Sequence, residues 1–188
     1  INAGKHMVTT SYVKEDMQAL DTEAREKGII LLNELGVDPG IDHMTAMQVI
    51  DRVHAEGGEI TTFQSYCGGL PAPEANDNPY GYKFSWSPRG VLLAGLNTSR
   101  YRREGKVLDV PGPELFDHVW PVEVEIDGKP TALQGYANRD SMPYTEVYGI
   151  DPRDMMFRGT LRFPSWCAIQ KQTARLGWLA TDGIDEPF

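Results

Sequence analysis

Two groups of side chains in this sequence have types and spacing suited to chemistry. The first is split between Thr9-Thr10-Ser11-Tyr12 and Gly36-Val37-Asp38-Pro39-Gly40. The second segment follows an apolar run and precedes a helical pattern, so Asp38 falls at a strand end just before a helix N-terminus, where backbone N–H groups favour negative charge. Asp38 and Asp42 could serve only as helix caps. With hydroxyls at a neighbouring strand end, the same carboxylate could instead face a ligand amine. The second group is Arg158, Thr160 and Arg162, which alternate along one strand and project the same way within ~7 Å of each neighbour. A solvated outer face explains such a pattern equally well. Arg139, in Asn138-Arg139-Asp140-Ser141, adds a third guanidinium in an otherwise acidic chain. Guanidiniums take carboxylates through paired hydrogen bonds, so the set suits a ligand with several carboxylates. Cys67 ends a strand before Gly68-Gly69-Leu70-Pro71 and could act as nucleophile or proton donor, although a lone Cys without an adjacent His is more often packing. His6, His43, His54 and His118 are isolated and read as structural or surface residues.

Composition narrows the classes. The 188 residues are 40% hydrophobic, enough for one sizeable core with a strip of a second domain at one end. A net charge of −9 disfavours nucleic acid and anionic membranes as partners. No window resembles a membrane span or a signal-peptide core, so a soluble, cytoplasmic protein is expected. The two cysteines lie one hundred residues apart, with no metal-ligand spacing around them, and are expected as thiols without a metal.

The elements that must position these residues follow from periodicity. Residues 6–10 form a β-type run, 14–27 a helix closed by Gly28, and 29–35 a buried strand. Residues 41–55 then form a helix burying Ile41, Met44, Met47 and Ile50. Two strands joined through a helix make a βαβ unit, whose ligands bind beyond the carboxyl ends of the strands, where residues 10–12 and 37–39 fall. From residue 59 the pattern becomes antiparallel in character. There is a strand to Cys67, a long loop over 68–79, a helix opened by Ser87-Pro88, hairpin turns at Glu104-Gly105 and Asp127-Gly128, a strand over 155–163 and a helix from Ser165 to Gly177. The fold class expected is α/β: a βαβ remnant of a Rossmann domain over residues 1–43, leading into an α+β domain over 44–188 with a mixed, largely antiparallel sheet packed with helices.

The strings Val8-Thr9-Thr10-Ser11-Tyr12, Asn33-Glu34-Leu35-Gly36-Val37-Asp38-Pro39-Gly40-Ile41-Asp42-His43 and Ser65-Tyr66-Cys67-Gly68-Gly69-Leu70-Pro71-Ala72-Pro73-Glu74 resemble the saccharopine reductase family, the glutamate-forming saccharopine dehydrogenases. So do Gly81-Tyr82-Lys83-Phe84-Ser85-Trp86-Ser87-Pro88-Arg89-Gly90-Val91-Leu92, Asn138-Arg139-Asp140-Ser141 and Arg158-Gly159-Thr160-Leu161-Arg162. The blocks keep the family's order; residues 109–135 are the least distinctive. The resemblance implies an oxidoreductase of lysine metabolism that interconverts saccharopine with glutamate and aminoadipate semialdehyde, using NADP or NAD. By resemblance Ser11, Tyr12, Asp38, Arg139, Thr160, Leu161 and Arg162 line the saccharopine site, and Thr10, Ser11, Val37, Asp38, Pro39 and Ser87 touch the cofactor. Arg158 shares the strand face but falls outside these positions. Asp38, Tyr12 and Cys67 are the candidates for handling the amine proton. A homodimer built on the hairpin-rich sheet is also implied. The sequence carries no Gly-x-Gly-x-x-Gly after an opening strand, so the chain is expected to be a substrate-binding piece without catalytic competence of its own. Two other readings stay open: a sibling dehydrogenase for another amino-dicarboxylate, and a non-catalytic binding or dimerisation module.

Overall fold

The computed structural model describes residues 1–180, which divide into two compact units, Ile1–Glu59 and the remainder from Ile60. In the first unit, β1 (Met7–Val8) and β2 (Leu31–Leu32) pair in parallel, Met7 opposite Leu31 and Val8 opposite Leu32. The strands are far shorter than the runs 6–10 and 29–35 predict. Beyond Val8 and Leu32 the backbones leave the ladder and are joined by individual bonds: Leu35 N–H to Thr9 O at 3.1 Å and Glu34 N–H to Ser11 O at 3.1 Å. The helix predicted over 14–27 is two short ones, α1 (Glu15–Gln18) and α2 (Asp21–Glu26). The break falls at Leu20, whose N–H bonds Met17 O in a tightened turn, and Asp21 then opens a new first turn with its carboxylate 2.7 Å from Arg25 Nε. The next helix, α3 (Ile41–Ala55), spans its predicted range. Its apolar face is a correction: Ile50 is buried, but Ile41 and Met44 are 51% and 58% exposed and Met47 is half-buried. The small first unit offers too little apolar surface to cover the stripe.

The second unit is one six-stranded mixed sheet. Its strands are β3 (Thr62–Cys67), β4 (Ser99–Arg103), β5 (Lys106–Val110), β6 (Trp120–Ile126), β7 (Lys129–Ala137) and β8 (Met155–Arg162). β8 is central. It pairs with β3 in parallel along one side, and its other side is shared by antiparallel β4 and β7, with β5 and β6 outermost. The antiparallel character expected for this region therefore holds except at the β3–β8 pair. Both hairpin turns have positive φ at each central residue (Glu104 51°, Gly105 73°; Asp127 50°, Gly128 73°), the backbone that matches the twist of two-residue hairpins.

Helix α4 (Pro88–Ala94) begins as predicted, with Ser87 Oγ accepting the Gly90 N–H at 3.1 Å. Helix α6 (Pro164–Arg175) starts one residue before Ser165, with Pro164 at the first helical position, where its missing N–H has no partner to lose. On one face of the sheet Tyr82, Val91, Leu115, Phe116, Tyr136, Trp166 and Cys167 form a core; Tyr101, Val110, Ala137 and Phe157 form another. Because β8 is flanked by strands on both sides and covered by these clusters, Met156 through Gly159 are all buried. Among the described residues no helix is long and apolar enough to cross a membrane.

Candidate functional site

In the first unit the structure joins two of the residues selected from sequence. Tyr12 donates its phenolic hydrogen to Asp38 Oδ1 at 2.7 Å, across 26 positions of chain. The contact exists because β1 and β2 are parallel neighbours, so their following loops emerge side by side and are tied by the bonds at Thr9 and Ser11. The 36–40 loop is tight: Gly36 N–H reaches Pro39 O at 2.9 Å, and Gly40 has a φ of 149°. A Cβ there would lie 2.7 Å from Glu34 O and Gly36 N, so only glycine fits. The two aspartates separate in role. Asp42 Oδ1 takes the Gly40 N–H at 2.7 Å and serves the start of α3, whereas Asp38 is bonded to the tyrosine.

Sequence reasoning left out a pair that stiffens this loop. Glu34, at φ 60°, accepts the Val13 N–H on Oε1 at 2.9 Å and faces His43 Nε2 with Oε2 at 3.1 Å. His43, read as structural or surface, thus links the start of α3 to the strand-end loops. Nothing in the spacing of Glu34 and His43 announces this, since the contact depends on the backward turn of 36–40. Thr10 and Ser11 are exposed, Val37 is 62% exposed, and Pro39 is buried.

In the second unit, Arg158 and Arg162 are only 4% and 7% exposed, and Thr160 between them is half-buried. The solvated-face alternative is overturned. The reason is topological: the face of β8 bearing these residues is roofed by aromatic rings and helices. The Arg162 guanidinium lies 5.0 Å from the Tyr82 ring and 5.5 Å from that of Trp166. Its Nη1 donates to Leu161 O at 2.9 Å and more weakly to Gly69 O at 3.5 Å, while its buried Nε has no hydrogen-bond partner. Among the described residues it forms no ion pair. Around it, desolvation pushes the buried Tyr136 phenol above its ordinary range, with the Arg162 charge pulling partly back. The same two influences leave the Cys167 thiol pushed up to about 12. These neighbours come from β7, α6 and the loop before α4, and no local pattern links them to Arg162.

Arg158 is stacked on Tyr144 of α5 (Tyr144–Tyr148), 4.2 Å from the ring centroid. Arg139 is exposed on the loop after β7, at φ 59°. Cys67 is half-buried at the end of β3, opposite Thr160 in the parallel register. Gly68, next to it, runs so close to β8 that a Cβ would lie 2.6 Å from Leu161 O. Ser87 is an exposed cap of α4, its hydroxyl engaged with Gly90. The structure thus groups Cys67, Thr160, Leu161 and Arg162 in the second unit and Tyr12 with Asp38 in the first. Among the described residues no cluster of His, Cys, Asp and Glu has the makings of a metal site.

This chain is similar to saccharopine dehydrogenases and to alpha-aminoadipic semialdehyde synthases. It is 49% identical over its whole length to a saccharopine dehydrogenase [NADP(+), L-glutamate-forming] of Pyricularia oryzae, covering 41% of that protein. It is 41% identical over 97% of its length to the alpha-aminoadipic semialdehyde synthase of Arabidopsis thaliana, covering 17% of it. The apo saccharopine dehydrogenase (L-Glu forming) of Saccharomyces cerevisiae superposes with a TM-score of 0.81 at 43% identity, over 93% of this chain and 39% of that one. The chain thus spans about two fifths of the dehydrogenases, or less of the longer synthase. With residues 36–187 also matching the family model for the saccharopine dehydrogenase C-terminal domain, this chain belongs to the saccharopine dehydrogenase family.

Proposed function

We propose that this chain is the substrate-binding part of an NADP-dependent, glutamate-forming saccharopine dehydrogenase, with residues 1–43 closing a dinucleotide-binding domain and 44–188 forming the substrate and dimer domain. The observation that carries the reading is Arg162. A guanidinium withdrawn from water, with no carboxylate beside it among the described residues, is unfavourable for the protein alone and becomes favourable when a ligand supplies the anion. Saccharopine has three carboxylates. Arg162 holds one, Arg139 at the loop after β7 another, and the Thr160 hydroxyl and Leu161 backbone complete the receptor.

The relatives' names specify NADP(+), which supplies the chemistry of accepting a hydride. The exposed hydroxyls of Thr10 and Ser11 and the exposed Val37, at the ends of parallel strands, fit its nicotinamide end; Asp38, Pro39 and Ser87 are the other contacts that the family likeness suggests. In the oxidative direction the carbon on the aminoadipate side of the secondary amine loses hydride, the nitrogen loses a proton, and water then cleaves the imine to glutamate and aminoadipate semialdehyde. Tyr12 and Asp38 handle that proton, because a phenol already bonded to a carboxylate at 2.7 Å can pass it on as the amine approaches. Cys67, half-buried at the end of β3, is the remaining candidate for that proton. A homodimer forms through the outer β6–β7 hairpin, whose edge strand would otherwise stand open.

The test is turnover by the intact enzyme of saccharopine and of analogues lacking one carboxylate. Loss of a carboxylate should lower kcat/KM by about 30-fold or more. Equal turnover of all of them would sink the reading. Preference for a different amino-dicarboxylate would move the chain to a sibling activity.

A further inference from the structure

The Arg139 loop is bonded from two sides, by β4 and by β8. Arg100 on β4 donates its N–H to Arg139 O at 3.0 Å and accepts the Ser141 N–H at 2.7 Å. Arg158 on β8 accepts the Asn138 N–H at 2.9 Å and donates its own N–H to Ser141 Oγ at 2.9 Å. Arg139 is the apex between these two brackets, at a φ of 59° that a residue with a side chain rarely adopts. A backbone in that region persists only where its surroundings over-determine it. Ser141 is fully buried, and its Oγ is the one side-chain atom among the four bracket bonds.

We propose that Ser141 is a positioning residue: its buried hydroxyl, by binding the Arg158 N–H, fixes the left-handed turn that aims Arg139 at a substrate carboxylate. The inference rests on the receptor reading of Arg139. Without the hydroxyl, the bracket on the β8 side loses its bond to the Arg158 amide, which is left buried without that acceptor, and the turn at Arg139 can relax toward commoner backbone angles.

The experiment is a double-mutant cycle in the intact enzyme with Ser141→Ala and Arg139→Ala, read as kcat/KM for saccharopine at a temperature well below every variant's melting point. Ser141→Ala alone should lower kcat/KM by about 10-fold, and by less than about 2-fold once Arg139 is already Ala. It should also lower the preference for saccharopine over the analogue lacking the carboxylate that Arg139 holds. An equal loss in both backgrounds, with that preference intact, makes Ser141 a fold-stabilising residue and overturns the proposal. Should Ser141→Ala fail to fold, Ser141→Cys keeps the volume with a poorer acceptor and enters the same cycle under the same two outcomes. An Arg139→Ala enzyme with unchanged saccharopine kinetics refutes the receptor reading itself, and a failure of that kind is distinguishable from a failure of Ser141.

Discussion

If Arg162 is kept for a ligand, replacing it should cost the protein's stability little and ruin the enzyme. Arg162→Met removes a charge that is 7% exposed and, among the described residues, makes no ion pair, while an unbranched apolar chain stays between Tyr82 and Trp166. Exchanging buried ionic groups for apolar ones of similar volume is neutral or stabilising by about 1–4 kcal/mol. Against that stand two cation–π contacts of about 0.5–1 kcal/mol each and the 2.9 Å bond to Leu161 O, about 1 kcal/mol net. The two sides roughly cancel, so Met should leave the Tm within roughly 2–4 °C of the parent's. In the intact enzyme the same change leaves a substrate carboxylate without its partner, about 2–4 kcal/mol of lost transition-state binding, or roughly 30- to 1,000-fold in kcat/KM with cofactor affinity unchanged. Calorimetric melting without ligand and steady-state kinetics read the two effects separately. A variant that melts below that range and still oxidises saccharopine normally would refute the reasoning, because Arg162 would then be a structural residue. Arg158→Ala is a different perturbation: it strips the cation from Tyr144 and opens a void, so its expected effect is a lower Tm.

Tyr12→Phe should lower kcat by about 10-fold through loss of the 2.7 Å bond, and Asp38→Asn by more, because the acceptor of the proton goes with it; equal retention of activity in both would remove the pair from the mechanism. Thiol labelling of the native protein near neutral pH should modify Cys67 and spare Cys167, whose thiol is buried and pushed up to about 12; early labelling of Cys167 would contradict its burial. Because the folded value for Cys167 lies above its ordinary 9.0, its contribution to stability is complete below pH 9 and is lost as pH rises from there towards about 12; a Cys167→Ala variant should show a weaker decline over that window in denaturant titrations. Gly159→Ala should destabilise by about 1–3 kcal/mol or more, since its Cβ would fall 2.6 Å from Phe157 Cζ and 2.9 Å from Tyr136 O at the centre of the sheet; an unchanged urea midpoint would show that the strand can move aside.

The sequence made several features legible because they are local. The two hairpins were readable from Glu104-Gly105 and Asp127-Gly128, and the start of α4 from Ser87-Pro88, since each signal lies within the turn it makes. The α3 range was readable from periodicity, but its burial was not, because whether Ile41 and Met44 are covered depends on what packs there. The alternation of Arg158, Thr160 and Arg162 identified a strand and one of its faces; alternation cannot say whether a polar face is solvated or roofed, and here Tyr144, Tyr82 and Trp166 roof it. The Tyr12–Asp38 bond was half legible, as two strand ends that a parallel pairing brings side by side. The Glu34–His43 contact and the Ser141 bracket were not, because both exist only after the chain has turned back on itself.

The central claim is that the arginine receptor takes saccharopine, and the most direct measurement is calorimetric titration of the intact enzyme with saccharopine, comparing the parent with Arg162→Met. The account predicts saturable binding by the parent, weakened about 30-fold or more by the substitution, with NADP binding the same in both. Binding of saccharopine with equal affinity by parent and variant, or by neither, would contradict it.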